Sequence, residues 1–202
     1  MGRTARLVMA VAAAMTVQAG QTGKQHVIVY VQNDANISDH VTNRAEDLAS
    51  SMFATIGVTI DWRRSAPSAS SPQNVIAIRL ARNTPKDEKP GALAYAKPCE
   101  GVHVVVFWDR MQFGLIPTEL LAHVMVHEIT HILEGLSRHS QSGIMRAQWT
   151  EDDHRMMKMH PLSFAAEDVD LIHRGLRARN TSLARTKIAP SPSPTPRPAI
   201  EM

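Results

Sequence analysis

The sequence predicts a single α/β domain of the α+β kind, a mixed layout of strands and helices that closes on two helices. Three observations predict it. β-branched runs alternate with helix-periodic runs over the first part of the chain, a long apolar helical run follows them, and two further helical segments come after it. At 202 residues there is room for one domain with a real core, not for two.

Taken in order, residues 1–19 are expected to lie outside the domain. Arg3 and Arg6 precede the apolar run Leu7 to Met15, and Val17-Gln18-Ala19 offers small residues for cleavage, the pattern of a secretory signal peptide. The run is too short to span a bilayer comfortably, and no Cys lies near the cleavage position to carry a lipid. Export to a secreted or periplasmic (extracytoplasmic) location is expected, with no stable membrane insertion afterwards. His26 to Gln32, rich in β-branched residues, reads as a buried strand. Ser38 to Ile56 reads as a helix in which Val41, Ala45, Leu48, Ala49, Met52 and Phe53 recur at helical spacing, with Ser38 and Asp39 as its cap and Gly57 as its end. Val58 to Arg63 gives a second strand, Ser65 to Gln73 a Ser/Pro/Ala loop, and Asn74 to Ala81 a third strand. Gly91 to Lys97 alternates and ends at a proline, as an edge strand does, and Gly101 to Trp108 is nearly all apolar. The apolar helical run is Leu120 to Leu133. Thr150 to Met159 and Ser163 to Arg179 read as the closing helices, and the domain is expected to span 20–179.

From Asn180 onward the chain turns Ser/Pro/Thr-rich, with Pro190, Pro192, Pro194, Pro196 and Pro198, and a disordered or extended tail over 180–202 is expected. The lone Cys99 excludes a disulfide framework. The net charge of +3 hides an asymmetry: six basic residues and one acid lie from Arg174 to the end, while the span 20–173 is about −4. Nothing in this pattern reads nucleic acid. A monomer is expected.

Five residues inside the apolar helical run carry chemistry: His127-Glu128-Ile129-Thr130-His131. On a helix, positions i and i+4 share a face with Cβ atoms about 5–6 Å apart. Two imidazoles at that spacing can hold one Zn²⁺, and Glu128 then stands ready to take a proton from a metal-activated water. The apolar flanks describe a buried helix, where two His and a Glu without partners would cost roughly 2–7 kcal/mol each. A metal supplies the partner. Two rivals for a third ligand stand nearby. His123 is in register with His127 and His131, but a straight helix rises about 12 Å from i to i+8 and cannot wrap three ligands round one ion. The run Glu151-Asp152-Asp153 follows Thr150 and also reads as a helix N-terminus. His154, His160 and His173 have no spacing relation to the motif and read as surface residues.

After His131 the chain continues to Gly135, His139-Ser140 and Ser142-Gly143-Ile144-Met145. This order resembles the metzincin clan of zinc endopeptidases, HExxHxxGxxH followed by a Met-turn, and within it the matrixins. The resemblance covers roughly residues 26–147, with specific motifs from 123 to 145. It departs from the family in one place: Gly135 and His139 fall one and two positions later than the pattern, although Met145 keeps its place 14 residues past His131. Arg146-Ala147 replaces the matrixin Tyr-Pro. The resemblance implies a metzincin-like twisted mixed sheet with an active-site helix and a small helical C-terminal subdomain, and a secreted peptidase holding Zn²⁺ through His127, His131 and His139, with Glu128 as general base. It further implies Met145 beneath the metal, the C-terminal helix around Glu167-Asp168, and a peptide or protein substrate paired along the edge strand Ala92 to Ala96. Two other readings stay open: a gluzincin-like peptidase with a downstream carboxylate ligand, and a non-catalytic secreted zinc-binding module.

Overall fold

The computed structural model describes residues 25–64, 75–97, 102–112 and 116–188. The expected signal peptide, the Ser65–Gln73 loop, Cys99 and the prolines from Pro190 on lie outside them. Among the described residues there are five strands, β1 (Gln25–Asn33), β2 (Val58–Arg63), β3 (Val75–Ala81), β4 (Ala94–Ala96) and β5 (His103–Phe107). Four α-helices join them, α1 (Asp39–Ala54), α2 (Pro117–Glu134), α3 (Glu151–Met159) and α4 (Ala166–Ile188).

The strands form one mixed sheet in the order β2-β1-β3-β5-β4. The first four run parallel, and β4 closes one edge antiparallel to β5 through Ala94–Val106 and Ala96–Val104. The expected mixed α/β fold is therefore the one observed. Central strands read as continuous apolar runs because both faces are covered: Val104 and Val106 join the main core, while Val105 and Phe107 pack with Ala81 and Tyr95 on the other side. The helices α1 and α2 pack against each other and against the sheet, and α4 packs along α2. Fully buried Phe53, Leu121, Met125, Ile129 and Ile132 fill that interface. Each such side chain contributes roughly 1.5–3 kcal/mol over its exposed state. None of the described helices is long and apolar enough to cross a membrane.

Three boundaries differ from expectation. The helix α2 starts at Pro117, whose fixed φ and missing N–H suit a first helical position. The edge strand is three residues long rather than seven. The last helix does not stop at Arg179 but runs to Ile188, so residues 180–188 are helix and not tail. Ser38 occupies the N-cap of α1 without a side-chain cap bond; its carbonyl instead takes the Thr42 amide and hydroxyl.

Candidate metal centre

Every residue of α2 from Leu120 to Leu133 is buried, as its apolar flanks demand, so the polar groups of the motif must find partners inside. His127 and His131 meet edge-to-face, with ring centroids 4.8 Å apart. Gly135 ends the helix in the left-handed region at φ 68°, returning its N–H to the His131 carbonyl. The chain then doubles back and brings His139 over the pair, 5.3 Å and 5.0 Å from the two rings. One ligating atom of each ring lies within 4.8 Å of the others, and no carboxylate joins the cluster among the described residues. The two-residue longer loop thus still delivers His139.

The hydrogen bonds fix the tautomers. His127 Nδ1 is 2.9 Å from the Ile144 carbonyl and His131 Nδ1 3.0 Å from the Leu136 carbonyl. A carbonyl only accepts, so both Nδ1 atoms carry the proton and both Nε2 atoms present lone pairs. Those lone pairs face each other 3.1 Å apart. Facing lone pairs repel unless a cation sits between them. Two imidazoles bound tetrahedrally at 2.0–2.1 Å would stand about 3.3 Å apart. The cluster fits Zn²⁺ in its donor set, its spacing and its tautomers. Burial, chiefly, pushes His127 and His131 down to about 4, so both are neutral and ready to ligate near pH 7. His139 is lowered as well, by burial first and by Arg138 second.

Glu128 is 8 % exposed, and burial pushes its carboxyl up to about 8, against the opposing pull of a backbone hydrogen bond from Ala96 on β4. The general-base candidate therefore sits between the metal cluster and the edge strand. In the turn that follows His139, Ile144 and Met145 are fully buried. The turn that carries them needs Gly143, at φ 75° and so near α4's approach segment that a Cβ would stand 2.3 Å from the Ser163 oxygen. The Ser140 amide donates to the Met145 carbonyl at 2.7 Å, closing the loop between His139 and the turn.

The rivals are accounted for elsewhere. His123 is fully buried, with Nδ1 2.7 Å from the Glu119 carbonyl and Nε2 accepting the Leu162 amide at 3.1 Å, so both nitrogens are engaged. Asp153 forms a capping box with Thr150 and takes Arg146 at 2.8 Å, while Glu151 and Asp152 are exposed in the first turn of α3. Sequence reasoning misplaced one residue: His154 is not a plain surface group but half-buried in the cleft that holds His127, Glu128 and His139. It missed Trp149 in the same cleft, whose ring meets His127 edge-on at 5.7 Å. No spacing signal could have found either, since both depend on where α3 docks.

No protein-family model matches the chain, and no curated protein matches it. Among solved structures, it is similar to an archaemetzincin from Methanopyrus kandleri, at 18 % identity and a TM-score of 0.50, covering 80 % of this chain and 99 % of that one. It is also similar to a zinc-dependent peptidase from Methanocorpusculum labreanum, at 13 % identity and a TM-score of 0.49, covering 71 % of this chain and 99 % of that one. At 18 % identity the likeness to the archaemetzincin is one of fold alone.

Proposed function

We propose that this chain is an exported zinc-dependent endopeptidase that hydrolyses peptide bonds with Glu128 as general base and His127, His131 and His139 as metal ligands. The observation that carries the reading is the pair of Nε2 lone pairs facing each other 3.1 Å apart, next in sequence and space to a buried Glu128 that borders an open cleft. Zn²⁺ held there would polarise a scissile carbonyl, acidify a water and, as a nearby positive charge, return Glu128 to its carboxylate form.

The rest falls to the chain itself. Glu128 would accept the proton of the attacking water and pass it to the leaving amine. The edge strand β4 would hold the substrate. Its bonds to β5 run through Lys97 N to His103 O and Phe107 N to Leu93 O. That register turns the backbone of the alternate residues, Ala94 and Ala96, away from the sheet. Ala96 N–H already serves Glu128, and the remaining groups, flanked by methyl side chains, can pair with an extended peptide. The matrixin-like order of His139-Ser140 and the Met145 turn supports the same assignment.

The test is purified protein, zinc-loaded, against a mixed peptide library, with Glu128→Gln as control. The reading expects internal cleavage by the wild type and a loss of roughly 10²–10⁴-fold in the variant with zinc retained. Zinc-loaded wild type that cleaves no peptide would leave a metal-binding module instead.

A further inference from the structure

The three histidines are oriented in two different ways. His127 and His131 are each aimed by a ring hydrogen bond to a main-chain carbonyl. His139 is exposed and on a loop, and no ring hydrogen bond is among those that the described residues form. Its aim must come through its own backbone, from residues 138 and 140.

Both of those residues are held by one carboxylate. Asp168, on α4, is completely buried. Its Oδ1 takes Arg138 at 2.7 Å and the Ser140 hydroxyl at 2.5 Å. Its Oδ2 takes the Ala165 amide at 3.2 Å, which fixes the carboxylate in the first turn of its own helix. Arg138 also reaches the Ser140 hydroxyl at 3.1 Å and the His139 carbonyl at 3.4 Å, closing a ring of bonds around the ligand's backbone. Glu134 and Glu167 lie 3.9 Å and 3.6 Å from the same guanidinium, so Arg138 is held in an acidic seat. A loop two residues longer than the family pattern has more freedom to lose, and the clamp removes it at the positions on either side of His139.

Resting on the reading of His139 as third ligand, we propose that Asp168 is a positioning residue for the metal centre, acting through Arg138 and Ser140 to set the direction of His139. Groups that orient a metal ligand typically cost 10–100-fold in affinity when removed. A clamp that works only through His139 has a sharper signature: it matters when His139 is present and not when it is absent.

The test measures zinc affinity by competition with a chromogenic chelator for wild type, Asp168→Ala, His139→Ala and the double variant, with Co²⁺ absorption spectra of each. The expected results are a loss of roughly 10–100-fold for Asp168→Ala, an altered Co²⁺ spectrum, and a double variant within about twofold of His139→Ala alone. Equal affinity for Asp168→Ala and wild type overturns the proposal, and so does an equal loss in both backgrounds, which marks a general structural role. Should Asp168→Ala fail to fold, Ser140→Ala cuts one arm of the clamp with Asp168 still paired to Arg138. A several-fold loss confined to the His139 background supports the proposal, and no loss overturns it. Wild type that takes up no zinc sinks the metal-site reading itself, an outcome distinct from failure of the clamp.

Discussion

Gly175 gives a sharp test of how α4 supports the active-site helix. It faces the last turn of α2, where a Cβ would stand 1.8 Å from the Leu133 carbonyl oxygen and 2.9 Å from its carbon. Both atoms are main chain, so no side chain can swing aside. Restoring an ordinary contact near 3.4 Å moves the helices apart by about 1.5 Å, and it strains the bond from Arg179 to the Ile132 carbonyl, now 2.6 Å long. Two effects oppose each other in Gly175→Ala. Helix propensity favours alanine by roughly 1 kcal/mol. Overpacking against rigid neighbours costs roughly 1–3 kcal/mol, occasionally more. Because the overlap is with backbone, the upper end applies and packing wins by about 2 kcal/mol. At about 2–4 °C per kcal/mol for a chain of this size, Tm falls by about 4–8 °C. Thermal unfolding of the metal-free protein followed by far-UV circular dichroism reads this directly. An unchanged or higher Tm would refute the close approach of α4 to α2.

Other consequences follow from the site. Gly143→Ala meets both a positive φ and the Ser163 oxygen at 2.3 Å, so it should lower stability by about 2–3 kcal/mol and weaken zinc binding; a urea midpoint equal to wild type would contradict this. Glu134, pushed up to about 7 by burial, binds its proton more tightly folded than unfolded. The stability it contributes is present below about pH 4.5 and is lost as pH rises toward 7. Discounted by about half because the end of α2 lies near solvent, the loss is about 1–2 kcal/mol. Glu134→Gln should therefore gain on wild type between pH 5 and pH 8 in denaturant melts, and a difference flat with pH would sink the idea. Zinc at about 1,000 times its Kd should add about 4 kcal/mol to folding stability, and His139→Ala should shrink that gain; equal Tm increments in both proteins would argue against His139 as a ligand.

Much of this was legible before the fold was known, and the parts that were not share a cause. The burial of α2, the left-handed Gly135, the capping box of Thr150 and Asp153 and the strand at the cleft edge all follow from local pattern, because each is decided within a few residues. His139 was legible only through the order of motifs, since the departure in spacing hides it from any fixed template. What escaped depends on docking between distant segments. Asp168 reaches residues 138 and 140 across a separation of about 30 positions, Gly175 matters only where α4 crosses α2, and His154 enters the cleft because α3 packs beside α2. The start of α2 was misjudged because Ile116 caps it without a polar side chain, leaving only Pro117 as a signal. The fold likeness is to an archaemetzincin, whereas the matrixin-like features rest on the residues around Ser140 and Met145.

Zinc K-edge X-ray absorption on the one-to-one zinc complex tests the central assignment most directly. Three imidazole nitrogens at about 2.0–2.1 Å and one light oxygen-type ligand are expected, falling to two imidazoles in His139→Ala. A wild-type spectrum with only two imidazoles, or one unaltered by His139→Ala, would contradict the assignment of His127, His131 and His139 as the metal site.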